Sequence, residues 1–270
     1  MKTVKVIINS VFQPEGDIHV QASSLGSGGD AQVLLPPGSL GNEAAMAMSF
    51  RQVALGNRRP QSSAEFIADG IIHIVGLTAA LCGSVGLVAV AQLGGHRDIL
   101  QLLVYCGCML AMFGASAAYN LGYGTRFRHV LQSFDHSAIF LMIVGTYTPF
   151  IANGFSFWPA SLLLTLTWGW ALCGILMRLF WPETFARFSL MLYLGLGWMA
   201  VLIIAPQLYL STPQVLIPLI IGGVLYTSGV AFHIGERLPF QNAIWHVFVL
   251  AAAASHYYAV VETLLLRRVT

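Results

Sequence analysis

Charged side chains are scarce in this sequence. Asp, Glu, Lys and Arg make up 9% of its 270 residues, against roughly a quarter in soluble globular domains. The net charge of +2 and the lack of a basic patch argue against a nucleic-acid partner. Hydrophobic residues account for 57% of the chain and form runs long enough to span a bilayer. This composition is typical of an integral membrane protein.

Cysteine is also rare, and its positions argue against two kinds of structural site. The chain has four cysteines, all within apolar segments: Cys82, Cys106, Cys108 and Cys173. Cysteines in such positions indicate neither a disulfide framework nor a thiolate zinc cluster. They are expected to be small residues of the core.

Residues 1 to 60 differ in composition from the rest of the chain. They are rich in Gly, Ser, Pro and Gln and lack a sustained apolar period. This composition predicts a flexible, soluble N-terminal tail. Residues 61 to 270 are predicted to form a single membrane domain.

Seven apolar segments follow the tail, each with about the 17 to 25 residues that a helix needs to cross the hydrocarbon core. They lie near residues 66 to 91, 99 to 120, 132 to 152, 157 to 179, 187 to 206, 214 to 234 and 242 to 265. We therefore expect an all-α bundle of seven transmembrane helices.

Lys and Arg are distributed unevenly between the two sides of this predicted bundle. Ten of the 13 basic residues fall on the side of the N-terminus, and three fall on the side of the C-terminus. Cytoplasmic connections carry an excess of Lys and Arg. The N-terminus is therefore predicted to be cytoplasmic, and the C-terminus is predicted to lie outside.

Polar side chains interrupt the apolar segments, and this topology places most of them near the cytoplasmic face. They are Glu65, Asp69, His73, Ser116, Asn120, Asp135, His136, His233, Asn242 and His246. Several pairs are four residues apart, which puts both side chains on one face of a helix. Because ionisable residues inside a span are costly and mark functional sites, His246 is the first candidate. His256 lies about 15 Å deeper along the same helix.

A cluster of this composition is compatible with two roles. Imidazoles and a carboxylate from neighbouring helices can hold zinc, which activates a water molecule when one position is left open. The same side chains can instead hydrogen-bond across helices without an ion. The residue types alone leave both roles open.

The stretch from Phe134 to Phe150, FDHSAIFLMIVGTYTPF, resembles a signature of the hemolysin III proteins, the bacterial branch of the progestin and adiponectin receptor family. Similar stretches are Glu65 to Gly76, Ser116 to Asn120, Gly222 to Gly229 and Asn242 to His246. The resemblance covers about residues 65 to 261. It implies a seven-helix bundle in the bacterial inner membrane, with a cytoplasmic N-terminus and a zinc site near the cytoplasmic face.

The resemblance implies metal-ligand positions at Asn120, Asn242 and His246. The family places a zinc-binding histidine four residues after the serine that matches Ser116, but this chain has Asn120 there. The family also has two zinc-binding histidines four apart in the seventh span, and here the first is Asn242. Because a carboxamide is a weak ligand compared with imidazole, we expect little zinc and favour a metal-free polar core. A different set, with His246 and Asp135 joined by His136 or His73, stays open.

The resemblance implies roles for five further positions. Asp135 matches the family aspartate that approaches the metal through water, and it is a catalytic candidate together with Ser116. Glu65, His73 and His256 also match the family and are expected to support the site.

Three function classes follow from these expectations. The first is a lipid-sensing or membrane-homeostasis regulator with a degenerate metal site, and this role survives the loss of the metal. The second is a zinc-dependent hydrolase of a lipid amide or ester, which needs the missing ligands. The third is a cytolytic or channel-forming protein, although the spans carry no repeated charged lining. Membrane lipids are the expected partners, and the oligomeric state is left open.

Overall fold

The computed structural model describes residues 62–95, 99–122, 125–154, 160–208, 213–235 and 238–266. The predicted N-terminal tail, residues 1 to 60, lies outside the described residues. Within these ranges the chain forms seven helices: α1 (Ser63–Leu93), α2 (Ile99–Leu121), α3 (Arg128–Gly154), α4 (Ala160–Phe180), α5 (Pro182–Leu208), α6 (Pro213–Ile234) and α7 (Gln241–Leu266). Each helix coincides with one of the seven predicted apolar segments.

Five helices, α1, α2, α4, α6 and α7, are long and apolar enough to cross a membrane. This confirms an all-helical architecture of membrane type. Helices α3 and α5 each have 27 residues, but over the described part of the chain they are not among the helices that are both long and apolar enough to cross a membrane. Seven spans and the orientation of the termini therefore stay predictions.

Helix α3 has a central place among the helices, which explains its more polar composition. Neighbours in sequence pack together from α1 to α7, and α7 returns to α1. Helix α3 also contacts α5 and α7, and the run from Val144 to Ile151 is buried throughout. Because a helix enclosed by others does not face lipid, its inward polar side chains can be satisfied by protein groups.

Two glycines allow α3 to lie close to its neighbours. A side chain at Gly145 would overlap Cys108 of α2, and one at Gly174 of α4 would overlap the ring of Phe140. Helix α3 is also tied to α5, because the hydroxyl of Tyr147 donates to the carbonyl of Leu196 at 3.2 Å. These contacts fix the helix that carries Asp135.

Glu65 fixes the relative height of the first and last helices. The Ser62 hydroxyl accepts a hydrogen bond from Glu65 N at 3.3 Å, and Glu65 Oε2 accepts one from Ser62 N at 2.7 Å, so the pair forms a capping box. Glu65 Oε1 accepts a further bond from the backbone N–H of Phe240 at 2.7 Å. Phe240 directly precedes α7 and has a positive φ of 57°. Helices α1 and α7 therefore begin at the same level.

Candidate metal and lipid site

Asp69 lies at the centre of a buried polar cluster formed by α1, α2 and α7. Its Oδ1 atom accepts a hydrogen bond from His246 Nδ1 at 2.7 Å, and its Oδ2 atom accepts one from Asn242 Nδ2 at 2.6 Å. Asn242 and His246 are one turn apart on α7, so both can reach the same carboxylate. The Asp69 side chain is 5% exposed. One residue of α1 is therefore held by two residues of α7.

His73 lies one turn after Asp69 and connects α1 to α2. Its Nδ1 atom donates to the backbone carbonyl of Asp69 at 2.8 Å, so Nε2 is the acceptor in the neutral ring. Nε2 lies 3.3 Å from both Asn120 Nδ2 and Ser116 Oγ. Both of these groups can donate a hydrogen bond to it. Ser116 and Asn120 of α2 are therefore both within hydrogen-bonding distance of the same nitrogen of His73.

Asn242 joins the two halves of the cluster. In addition to Asp69, its Nδ2 atom donates to Asn120 Oδ1 at 2.9 Å. The rings of His73 and His246 meet edge to face, with centroids 4.2 Å apart. The polar groups of three helices thus form one continuous network, as buried polar groups require. We call these six residues the Asp69 cluster: Asp69, His73, Ser116, Asn120, Asn242 and His246.

Three members of the cluster could hold a metal ion. One ligand atom from each of Asp69, His73 and His246 lies within 4.8 Å of the others. A carboxylate with two imidazoles is a donor set that suits zinc, so these residues fit the metal that the resemblance implies. The carboxylate and the His246 imidazole are hydrogen-bonded to each other, and a metal would have to replace that bond.

This set differs from the ligand positions that the resemblance implies. His246 is common to both, but Asn120 and Asn242 contact the set as hydrogen-bond partners. Asp69 was not among the candidate ligands, and His73 was expected only to support the site. The sequence feature that could have indicated these two ligands is the four-residue spacing of Asp69 and His73, which places both on one face of α1.

The two candidate catalytic residues line a cavity of about 190 Å³ beside the cluster. Asp135 of α3 interacts with the Ser116 side chain and lies within electrostatic range of His246 and Arg178. Ser116 and His246 also line the cavity, so these two residues belong to both the cavity and the Asp69 cluster.

The cavity continues from this polar end into the bundle between α2, α3, α5, α6 and α7. Most of its wall is aliphatic or aromatic, with Met142, Ile143, Leu194 and Val249 among the lining side chains. Such a cavity, mainly apolar with a small number of polar groups, is the usual form of a small-molecule site. It suits a ligand with a long apolar part.

The remaining candidate residues occupy other positions. Glu65 caps α1 one turn before Asp69. His136, considered as an alternative ligand, packs against the ring of Phe185 with centroids 5.9 Å apart. His256 lines the deep part of the cavity, and its Nε2 atom donates to the carbonyl of Leu219 at 3.2 Å.

Comparison with known proteins agrees with the sequence motifs. A family model described as haemolysin-III related matches residues 64–257. The chain is similar to the Hemolysin-3 homolog of Bacillus subtilis (strain 168), with 33% identity over 198 residues that cover 73% of this chain and 92% of the relative. It is similar to Hemolysin-3 of Bacillus cereus, with 31% identity over 204 residues that cover 75% of this chain and 93% of the relative.

A human protein is also similar. Monocyte to macrophage differentiation factor of Homo sapiens is 26% identical over 220 residues, which cover 79% of this chain and 90% of the relative. The matched family segment runs from the first turn of α1 into α7. It therefore includes every residue of the Asp69 cluster and the whole lining of the cavity. The chain belongs to the hemolysin III family of integral membrane proteins.

Proposed function

We propose that this protein is a lipid-sensing regulator of a bacterial plasma membrane, in which an acyl chain occupies the cavity and its polar group meets Ser116, Asp135 and His246. The observation that carries the proposal is the polarity of the cavity. Asp135, Ser116 and His246 line one end of it, and aliphatic and aromatic side chains form most of the remaining wall. An amphiphile matches this distribution, because its polar group meets the polar end and its chain is buried against mainly apolar side chains.

The cluster supplies a route from lipid binding to the arrangement of the helices. Ser116 contacts both the cavity and His73, and His246 contacts both the cavity and Asp69. A ligand that changes the hydrogen bonding of either residue acts on the links between α1, α2 and α7. A ligand shifts a conformational equilibrium through such differential contacts.

In its metal-free form the cluster is joined by hydrogen bonds between its own members, and we propose that it works in that form. Both carboxylate oxygens of Asp69 accept hydrogen bonds, and Nε2 of His73 faces two donors. The amides of Asn120 and Asn242 supply donors and an acceptor without adding charge. This role needs neither of the two histidines that the chain lacks.

A second candidate is a metal-dependent hydrolase of a lipid amide or ester. The convergence of Asp69, His73 and His246 favours it, because these residues would hold the ion. The bound metal would supply an activated water molecule. Asp135 and Ser116 lie beside the set at the cavity wall, where Asp135 can accept a proton and Ser116 can hydrogen-bond a substrate carbonyl. A cytolytic or channel role has support only from the name Hemolysin-3 of two relatives.

Binding of stearic acid to the purified protein tests the lipid proposal. Val249 lines the cavity, whereas Val247 of the same helix is 50% exposed on the outside. We expect the wild type to bind stearic acid in native mass spectrometry, Val249→Trp to lose this binding by filling the cavity, and Val247→Trp to retain it. Equal binding by the two variants would place the lipid outside the cavity and refute the proposal.

A further inference from the structure

We infer that the deep part of the cavity holds a second hydrogen-bonding subsite, formed by Tyr226 and His256, that selects acyl chains with a hydroxyl group near the middle. The inference rests on the proposed lipid cavity and adds the chemical class of lipid that it prefers. Tyr226 of α6 and His256 of α7 both line the cavity wall, and their ring centroids are 5.7 Å apart.

The Tyr226 hydroxyl is buried and has no hydrogen-bond partner among the described residues. A buried hydroxyl without a partner is costly, and native structures leave few of them. Other polar groups in this part of the wall are satisfied by the protein itself. The Tyr147 hydroxyl donates to the carbonyls of Leu196 at 3.2 Å and Gly197 at 2.5 Å. Thr227 Oγ1 accepts from Trp198 Nε1 at 3.1 Å and donates to the carbonyl of Gly223 at 2.8 Å.

His256 offers the complementary group. Its Nε2 atom donates to the carbonyl of Leu219, so Nδ1 of the neutral ring carries the accepting lone pair. A side chain at Gly222 would overlap the His256 ring, and glycine at this position leaves the space that the ring occupies. The imidazole is therefore held in place by α6 through Nε2, and within the described part of the chain Nδ1 has no hydrogen bond.

A hydroxyl group on a ligand matches both residues. It can donate to His256 Nδ1 and accept from the Tyr226 hydroxyl, because an alcohol has one donor and two acceptor lone pairs. An unsubstituted methylene can do neither. The subsite therefore matches a hydroxylated chain rather than an unsubstituted one.

The position of the subsite gives the position of the hydroxyl. His246 lies at the polar end of the cavity, and His256 follows it by ten residues on α7. At 1.5 Å per residue the two rings are separated by about 15 Å along the helix axis. A lipid whose carboxyl group meets His246 therefore presents the middle of a long chain to His256 and Tyr226.

Competition between three acids on the purified full chain tests this inference. The probes are stearic acid, a stearic acid with a mid-chain hydroxyl, and a stearic acid with the hydroxyl beside the carboxyl group. We expect the wild type to prefer the mid-chain hydroxy acid by roughly 3- to 10-fold, the effect of one or two hydrogen bonds. We expect Tyr226→Phe to lose this preference and to keep its affinity for stearic acid.

Two further variants complete the design. Tyr147→Phe removes a cavity hydroxyl that is already paired, and it should keep the preference. His256→Leu should lose it, as Tyr226→Phe does. Equal affinity of the wild type for all three acids, or a preference that survives in Tyr226→Phe, would overturn the subsite and leave the lipid cavity standing. If the wild type binds none of the acids, the proposed lipid function fails as well.

Discussion

Asp69 and His246, 177 positions apart in the sequence, share a hydrogen bond of 2.7 Å between Oδ1 and Nδ1. The bond joins the first helix of the bundle to the last. Both side chains are largely buried, with exposed fractions of 5% and 11%. In a low-dielectric interior such a bond is strong, and the loss of one partner leaves the other unpaired. The pair is therefore a structural link as well as a candidate ligand set.

The Asp69 link is expected to contribute measurably to stability. Asp69→Ala leaves Asn242 and His246 without their carboxylate, and roughly 1 to 3 kcal/mol is lost for each buried group that becomes unpaired. We expect a clear drop in the midpoint of thermal unfolding in detergent. Glu183→Ala, which removes an exposed carboxylate at the start of α5, is the matched control. A drop no larger than that of the control would contradict the structural role of Asp69.

The metal content of the purified protein decides between the two candidate functions. We expect the wild type to hold far less than one zinc per chain in elemental mass spectrometry. The Asn120→His and Asn242→His double variant should bind zinc, because it adds two imidazoles beside His246. Adding His246→Ala to the double variant should reduce its zinc.

The same measurement has an outcome that reverses the conclusion. Near-stoichiometric zinc in the wild type, lost in both Asp69→Asn and His246→Ala, would establish Asp69 and His246 as ligands and favour the hydrolase. His129→Ala serves as the control, because it removes an exposed histidine of α3 outside the cluster. Zinc that depends equally on His129 would be surface-bound.

Sequence reasoning recovered the helices because bilayer thickness sets the length of an apolar segment. All seven helices match predicted segments, and the four-residue spacing of Ser116 with Asn120 and of Asn242 with His246 identified faces that do converge. The same reasoning did not identify Asp69 as the centre of the cluster. Its partners lie on α7, and which face of α1 meets α7 depends on the rotation of both helices, which a single sequence leaves undetermined.

The pairing of Tyr226 with His256 in the deep part of the cavity could not be predicted from the sequence either. His256 was noted for its depth and for its match to the family, but Tyr226 appeared only as one residue of a glycine-rich stretch. Their proximity depends on Gly222, which leaves the space for the His256 ring beside α6. A glycine in a membrane helix indicates close packing in general, but it does not say which side chain enters the space.

Lipid binding is expected to change the dynamics of the first two turns of α1 and the first turn of α7. Because Ser116 and His246 belong to both the cavity and the Asp69 cluster, a bound acid should alter amide hydrogen exchange around Asp69 and Asn242. We expect His246→Ala to lose this response even at stearic acid concentrations that saturate the variant. An unchanged response in His246→Ala would exclude His246 as the connecting residue.

The number of spans can be tested at the two ends of α3. If α3 crosses the membrane, the connection before it and the connection after it lie on opposite sides. In a cysteine-free background, Thr125→Cys should react with a membrane-impermeant maleimide only after the membrane is opened, because the charge distribution places that connection in the cytoplasm. Ser156→Cys should react in intact cells. Protection of both positions in intact cells, or labelling of both, would mean that α3 does not span the membrane. The polar side chains of α3, Asp135 among them, would then not need the enclosure by α2, α4, α5 and α7 that allows polar groups inside a bilayer.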